Sequence, residues 1–482
     1  MSYVPAPYAP VPWLMRVWRH CAPDVDLRTQ RNIAPLMRVY PGVPKDLSHT
    51  TLSRYENGTV PVTLELVTAF EQVLGLAPGI IGAHLEDTDV VQIDRWQRRA
   101  FLDGVDRGLD GPDWQRLSHL LTAPTGGLVL RSDDTQALIA RLMTEMTVSL
   151  GPAYQFRMQA LIRLAKDEFT RDLVGDAIEA HLSACGYSVI GDALELLPKA
   201  HHPRTAGVLM DSYEKLEGVA LMLSAGAIEM AIIEDQISPV FWARLSEQLL
   251  ADLSQPDSAR YRPATLIFDL LPRPVQAHLI GRLGDSARQA LTELRKAHSA
   301  VVRSPEEVRV LRARCDRIAE MLLEQTRPHR PATLTEGLIY WLREALADEH
   351  LPLEGAIVLA SSPFADALSH HLERHDRDLP GAEVTLNSCQ RYDASSLADA
   401  YRTAEPSDRA RLLVPLAHNR AFPHDLDLRT ETQAPDVEHR RLLYAAGMSA
   451  HPGLATLAQE PGLTPFERQA AGWWSRVEIP PA

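Results

Sequence analysis

Apolar residues recur three or four positions apart along most of the chain, the period of helices that bury one face. Leu14, Val17 and Trp18 keep this spacing within Trp13–Cys21, and Ile33, Leu36 and Met37 keep it in a second segment that begins near Arg28. Leu64, Val67, Phe70 and Leu74 repeat it within Thr63–Leu74. Breaks separate these runs. Tyr40–Leu47 holds two prolines and a glycine and predicts a loop. Pro35 lies inside the second segment, where it kinks or restarts a helix. Ser48 can cap a helix that runs to Asn57, with Gly58 as its stop. Gly75 ends the Thr63–Leu74 helix, and Pro78–His84 predicts a short fifth one.

Beyond residue 90 the chain again reads as helices. Start signals recur at Pro112-Asp113, Ser238-Pro239, Ser304-Pro305-Glu306-Glu307, Ser362-Pro363 and Thr464-Pro465 with Glu467. Gly127–Leu130 and Ala356–Leu359 are the best strand signals, and both are weak. Val219–Ile233 is the most apolar stretch. Glu217, Glu229 and Glu234 punctuate it, so it predicts a buried helix and not a membrane span. Helical pairs follow one another without a motif that fixes a repeat. The expected fold is all-α, with a solenoid of helical hairpins or a bundle after the first helices. The expected division is an irregular arm at 1–11, a small helical domain at 12–85, a repeat-like or bundle domain at 90–375 and a helical region at 376–482.

Composition narrows the function classes. The chain has 482 residues, 45% of them hydrophobic and 23% charged, as soluble globular proteins do. The net charge of −14 argues against a protein coated with nucleic acid. The charge is uneven, however. Residues 1–85 hold seven Arg or Lys and six Asp or Glu, a net of about +1, which leaves about −15 for the rest. A near-neutral head on an acidic body fits a protein that touches DNA with one small module. The four cysteines, Cys21, Cys185, Cys315 and Cys389, form no CxxC and read as buried free thiols. With a first segment unlike a signal peptide, they point to the cytoplasm.

The informative stretch is Leu27–Leu76: RTQRNIA at 28–34, SHTTLSRYENG at 48–58 and VPVTLELVTAFEQVLGL at 60–76. It resembles the Cro and phage-repressor (XRE) helix-turn-helix family. Thr29-Gln30 and Ala34 fill the places of that family's second helix. Ser48, Thr51-Leu52-Ser53 and Glu56-Asn57-Gly58 fill those of its third, and Leu74-Gly75-Leu76 those of its last turn. The resemblance covers only residues 27–76 and implies sequence-specific binding of double-stranded DNA. A reading helix must be short and polar on its outer face to enter the major groove. Leu52 and Tyr55 are expected inside. His49, Thr50, Ser53 and Arg54 are expected outside, with Arg54 able to give two donors to a guanine. Thr51 and Ser53 suit phosphate oxygens. The resemblance implies that Gln30 buttresses the reading helix, and the turn after Asn57 offers amides to a phosphate. Tyr40–Leu47 is longer than the turn usual between these helices, and Lys45 within it is a candidate phosphate contact.

Other chemistry is thin. His371 and His375 lie four apart near Glu373 and Asp376, a spacing that suits a metal, but no second cluster matches and a solvated helix surface is the better reading. His201-His202 lies in a loop. Asp133-Asp134 reads as a helix cap. No P-loop, GxGxxG after a strand, GxSxG or HExxH is present. The expectation is therefore a non-enzymatic transcriptional regulator without cofactor or metal, acting as a homodimer. The helical remainder is expected to dimerise and to sense a small molecule, peptide or protein. The alternative is an α-helical interaction scaffold whose head does not read DNA specifically.

Overall fold

The structure is a computed structural model. It describes residues 9–85, 109–123, 128, 130–185, 191–200, 204–216, 218–237, 239–300, 305–347, 352–389, 394–433 and 438–479. All regular structure among them is helical. No helix among the described residues is long and apolar enough to cross a membrane. The weak strand signal at Ala356–Leu359 lies within a helix, Pro352–Ala360, and Gly127 and Val129 of the Gly127–Leu130 signal fall outside the described residues.

The chain divides into two compact units, each discontinuous in sequence. The first joins residues 1–116 with 150–156 and 304–393. It begins with α1 (Pro10–Cys21), α2 (Gln30–Met37), α3 (His49–Glu56) and α4 (Leu64–Leu74). α1 starts within the segment expected to be an irregular arm. Its prolines fall in the first turn, where the missing N–H has no partner to lose. α2 keeps Pro35, which removes one intrahelical bond on an exposed side where water reaches the freed carbonyl. Leu36, expected inside, is 47% exposed. Ile33, Ala34 and Met37 define the buried face, and Leu36 lies about 100° round the helix from its centre.

The same core continues into α5 (Pro305–Thr326), α6 (Thr335–Leu346), α7 (Pro352–Ala360), α8 (Ala365–Arg374) and α9 (Ala382–Cys389). Trp13 on α1 meets Trp341 on α6 at 6.2 Å between rings. The Trp18 indole donates to the Ser361 carbonyl at 2.8 Å, and the His329 N–H donates to the His20 carbonyl at 2.7 Å. Helices α6, α7 and α9 approach so closely that a Cβ on Gly381 would overlap the Ala345 carbonyl oxygen. Among these helices a larger residue has no space to occupy.

The second unit holds residues 117–149, 157–303 and 394–482. Helices two apart along the chain pack side by side there. Gly191–Ala200 lies on Gly218–Ile233, which lies on Tyr261–Leu270, while Thr205–Lys215 lies on Pro239–Leu253, which lies on Arg273–Arg282. Two joints in this unit share one construction. Tyr213 donates to Asp252 at 3.1 Å, and Arg260 donates to Asp252 at 3.0 Å while sitting over the Tyr213 ring and bonding the Leu216 carbonyl. Tyr401 donates to Glu431 at 2.7 Å, and Arg409 reaches Glu431 at 3.3 Å, sits over the Tyr401 ring and bonds the Ala404 carbonyl. In both, an arginine ties off the end of the tyrosine's helix three residues past the tyrosine. The segments DSYEKL (211–216) and DAYRTA (399–404) carry this recurrence.

Candidate nucleic-acid interface

α3 is fixed at both ends by its own sequence. The Ser48 hydroxyl accepts from the Thr51 N–H at 3.1 Å and meets the Thr51 hydroxyl at 2.9 Å. At the other end Asn57 caps the helix and Gly58 takes φ 67°, a backbone that glycine adopts without a steric penalty. The Gly58 N–H then bonds the Tyr55 carbonyl at 3.0 Å, and the Thr59 N–H bonds the Arg54 carbonyl at 3.0 Å. This is a Schellman end, which satisfies carbonyls the helix leaves open.

The two faces of α3 differ sharply. Leu52 and Glu56 are buried and Tyr55 packs against the core. His49, Thr50, Arg54 and Asn57 are exposed, with Thr51 and Ser53 partly so. The Asn57 amide donates to Ser53 at 3.4 Å and receives Arg16 at 3.5 Å, so two expected contact residues are held together by a third, from α1. Among the described residues the Arg54 guanidinium has no protein partner, and it points its five donors to solvent.

Beneath this face lies a buried charged joint. Arg19 on α1 donates to both carboxylate oxygens of Glu56, at 2.6 and 2.7 Å, and to the Arg28 carbonyl at 2.6 Å. The Gln30 amide on α2 donates to the same carboxylate at 2.7 Å. Gln30 therefore grips the end of α3 directly. The carboxylate joins three helices, α1, α2 and α3, so the angle of α3 is set by directional bonds as well as by packing. His20 adjoins Arg19. Burial first, then the charges of Arg19, His329, Arg330 and Arg16, push its pKa down to about 3, so the ring stays neutral.

The remaining expected residues lie near α3 in sequence but differ in state. Thr29 stands at the start of α2 with extended backbone, and its hydroxyl makes no capping bond. Lys45 lies in the long connection and donates to the Arg38 carbonyl at 3.0 Å. That connection is anchored: Val43 and Leu47 are buried, and Arg38 donates to the Leu47 carbonyl at 2.8 Å. The extra residues thus form a folded loop between α2 and α3.

Arg19 and Arg16 escape the sequence reading. Their partners on α3 stand about forty residues away, and helical periodicity sets Arg19 about 140° round from Leu14, off the face that Leu14, Val17 and Trp18 share. The one available signal is Glu56 within ENG, an acidic residue at a position that must face inward if Leu52 does. Elsewhere, His371 is engaged by Asp376 at 2.6 Å, and Arg314 binds Asp376 and Asp378. Among the described residues no group of three or more His, Cys, Asp or Glu is placed to hold a metal ion. His201 and His202 fall outside the described residues. Comparison of the chain with family models, curated proteins and solved structures finds no match.

Proposed function

We propose that this chain binds double-stranded DNA through α3 and regulates transcription. The observation that carries the reading is the two-sided character of α3. Its ends are capped, its inner end is locked by Arg19 and Gln30 through Glu56, and its outer face presents His49, Thr50, Ser53 and Arg54 to solvent. That is the equipment for insertion into a major groove. In the proposal Arg54 and His49 read base edges, Thr50 assists at the helix start, and Thr29, Lys45, Ser48, Thr51 and Asn57 meet the backbone. A single module makes too few contacts to select one site in a genome, so the proposed form is a homodimer over two half-sites. The remaining helices would dimerise and sense an effector.

A second reading is an interaction scaffold, favoured by the side-by-side packing of alternate helices in the second unit, the arrangement of stacked hairpins. Salt separates the two. A DNA reader loses affinity for duplex DNA along a straight line in log–log salt plots, by about 0.9 per phosphate neutralised. Fluorescence anisotropy of labelled duplex with the full chain, at several salt concentrations, tests this. A flat or absent response favours the scaffold.

A further inference from the structure

The connection between α5 and α6 is basic in an acidic chain. From Gln325 to Thr335 it carries Arg327, His329 and Arg330 and no acidic residue. All three side chains are exposed, and among the described residues neither guanidinium has a protein partner. Both arginines hold left-handed backbone, at φ 46° and 55°, where glycine is at ease and a residue with a side chain is strained. Bonds on either side hold that strain. The Arg327 N–H closes α5 onto the Leu323 carbonyl at 3.0 Å, and Pro328 is buried. The His329 N–H bonds the His20 carbonyl, and the Arg330 carbonyl accepts from the Thr333 N–H at 3.1 Å and its hydroxyl at 2.9 Å. The loop is therefore built to keep two long cations in solvent. It also adjoins the outer face of the head. His329 stacks on His20 at 5.8 Å between rings. His20 lies one turn of α1 from Arg16, about 6 Å along the axis. Arg16 in turn meets Asn57, at the end of α3, at 3.5 Å. The His20 ring feels the charges of Arg16 and Arg330 together. A row of donors thus runs from the end of α3, across α1, onto this loop.

We propose that Arg327 and Arg330 bind backbone phosphates of the duplex whose major groove α3 enters, on the strand that borders the groove. The proposal rests on the DNA-binding reading above. A major groove is about 12 Å wide, so an element one helical turn past the end of a helix seated in it meets the bordering backbone. Phosphate is favoured over an acidic protein surface because the loop continues a face whose other groups, Ser53, Arg54 and Asn57, are donors suited to nucleic acid. A guanidinium fork matches two phosphate oxygens, and these two break no ion pair when they bind. Phosphate contacts carry no sequence information. The loop therefore adds affinity and fixes orientation, while α3 selects the site. It also brings a segment some three hundred residues from α3 into the contact with DNA.

The test uses the full chain, a variant with Arg327→Gly and Arg330→Gly, and a second with Arg327→Lys and Arg330→Lys. Glycine suits both backbone angles, so the glycine variant is expected to melt close to the wild type. Anisotropy titrations at several salt concentrations use two probes, a duplex selected from a random-sequence pool and an unrelated duplex of equal length. In the glycine variant the log–log salt slope is expected to fall by about 0.9 for each arginine. The fold loss of affinity is expected to be the same on both duplexes. Lysines keep the charge and are expected to keep the slope. Unchanged slope and affinity in the glycine variant overturn the proposal and point to an acidic protein as the partner of the loop. A loss confined to the selected duplex also overturns it, because the loop then reads bases. An equal loss in the lysine variant overturns it too, since charge then plays no part. A wild type that binds neither duplex defeats the DNA-binding reading itself, and the loop proposal with it.

Discussion

Glu56 is 1% exposed and Arg19 6%, and the ion pair between them is the joint on which the placement of α3 depends. Removing one member leaves the other charge buried without compensation. Arg19→Met is expected to cost about 3–5 kcal/mol, whereas Arg19→Met with Glu56→Leu is expected to cost much less. Urea unfolding of the two variants checks this, and equal losses would mean that the pair contributes no directional hold. Histidines set the response to acid. His20 is held neutral down to about 3 and His84, bonded to Ser361 at 2.8 Å, down to about 4, chiefly by burial. In the unfolded chain both take a proton near pH 6.5. The unfolded state therefore binds more protons below that pH, and stability is lost as pH falls from about 6.5 towards 4. The slope is about 1.4 kcal/mol per pH unit for each withheld proton. Denaturant midpoints at pH 7 and pH 5 should show the loss, and His20→Asn should reduce it. A midpoint that does not move with pH would contradict the assignment.

Elements were legible where the chain carries its own punctuation. Ser48, Asn57 and Gly58 delimit α3, and Thr464, Pro465 and Glu467 build the capping box of the helix Pro465–Trp474, because caps act over three or four residues. The outer face of α3 followed from period alone. Leu36 did not: it keeps helical spacing from Ile33, but the buried face centres on Ile33, Ala34 and Met37 and leaves it to one side. Close packing of distant helices was not legible either. Gly381 carries no local signal, yet the Ala345 carbonyl occupies the place of its side chain. Gly381→Ala is expected to separate α6 from α9 and cost about 1–3 kcal/mol, the scale of overpacking in a filled core. A thermal melt of the full chain measures it, and a neutral result would mean that these helices yield more easily than their packing implies.

At the scale of the molecule, the linear order misleads. Residues 12–85 look like a separable head by sequence, and their boundaries fit a small domain. In the folded chain, Trp13, Leu14 and Val17 share one core with Leu338, Trp341 and Phe364, some three hundred residues on. No local pattern encodes that partnership, since both sides read only as amphipathic helices. Its consequence is cooperative unfolding of the head with α5–α9. Hydrogen exchange of the full chain is expected to show amides of α1 and α6 opening together, with similar protection, and independent opening of α1 would contradict a shared core.

The central proposal is that α3 reads DNA. The most direct measurement is recovery and sequencing of genomic fragments bound by the full chain, beside His49→Ala with Arg54→Ala. Both side chains are exposed, so the variant should fold as the wild type does. The expected result is a small set of sites sharing a roughly palindromic motif, enriched by the wild type and lost by the variant. Equal enrichment by both proteins, or none by either at moderate salt, would contradict the assignment of α3 as the reading helix.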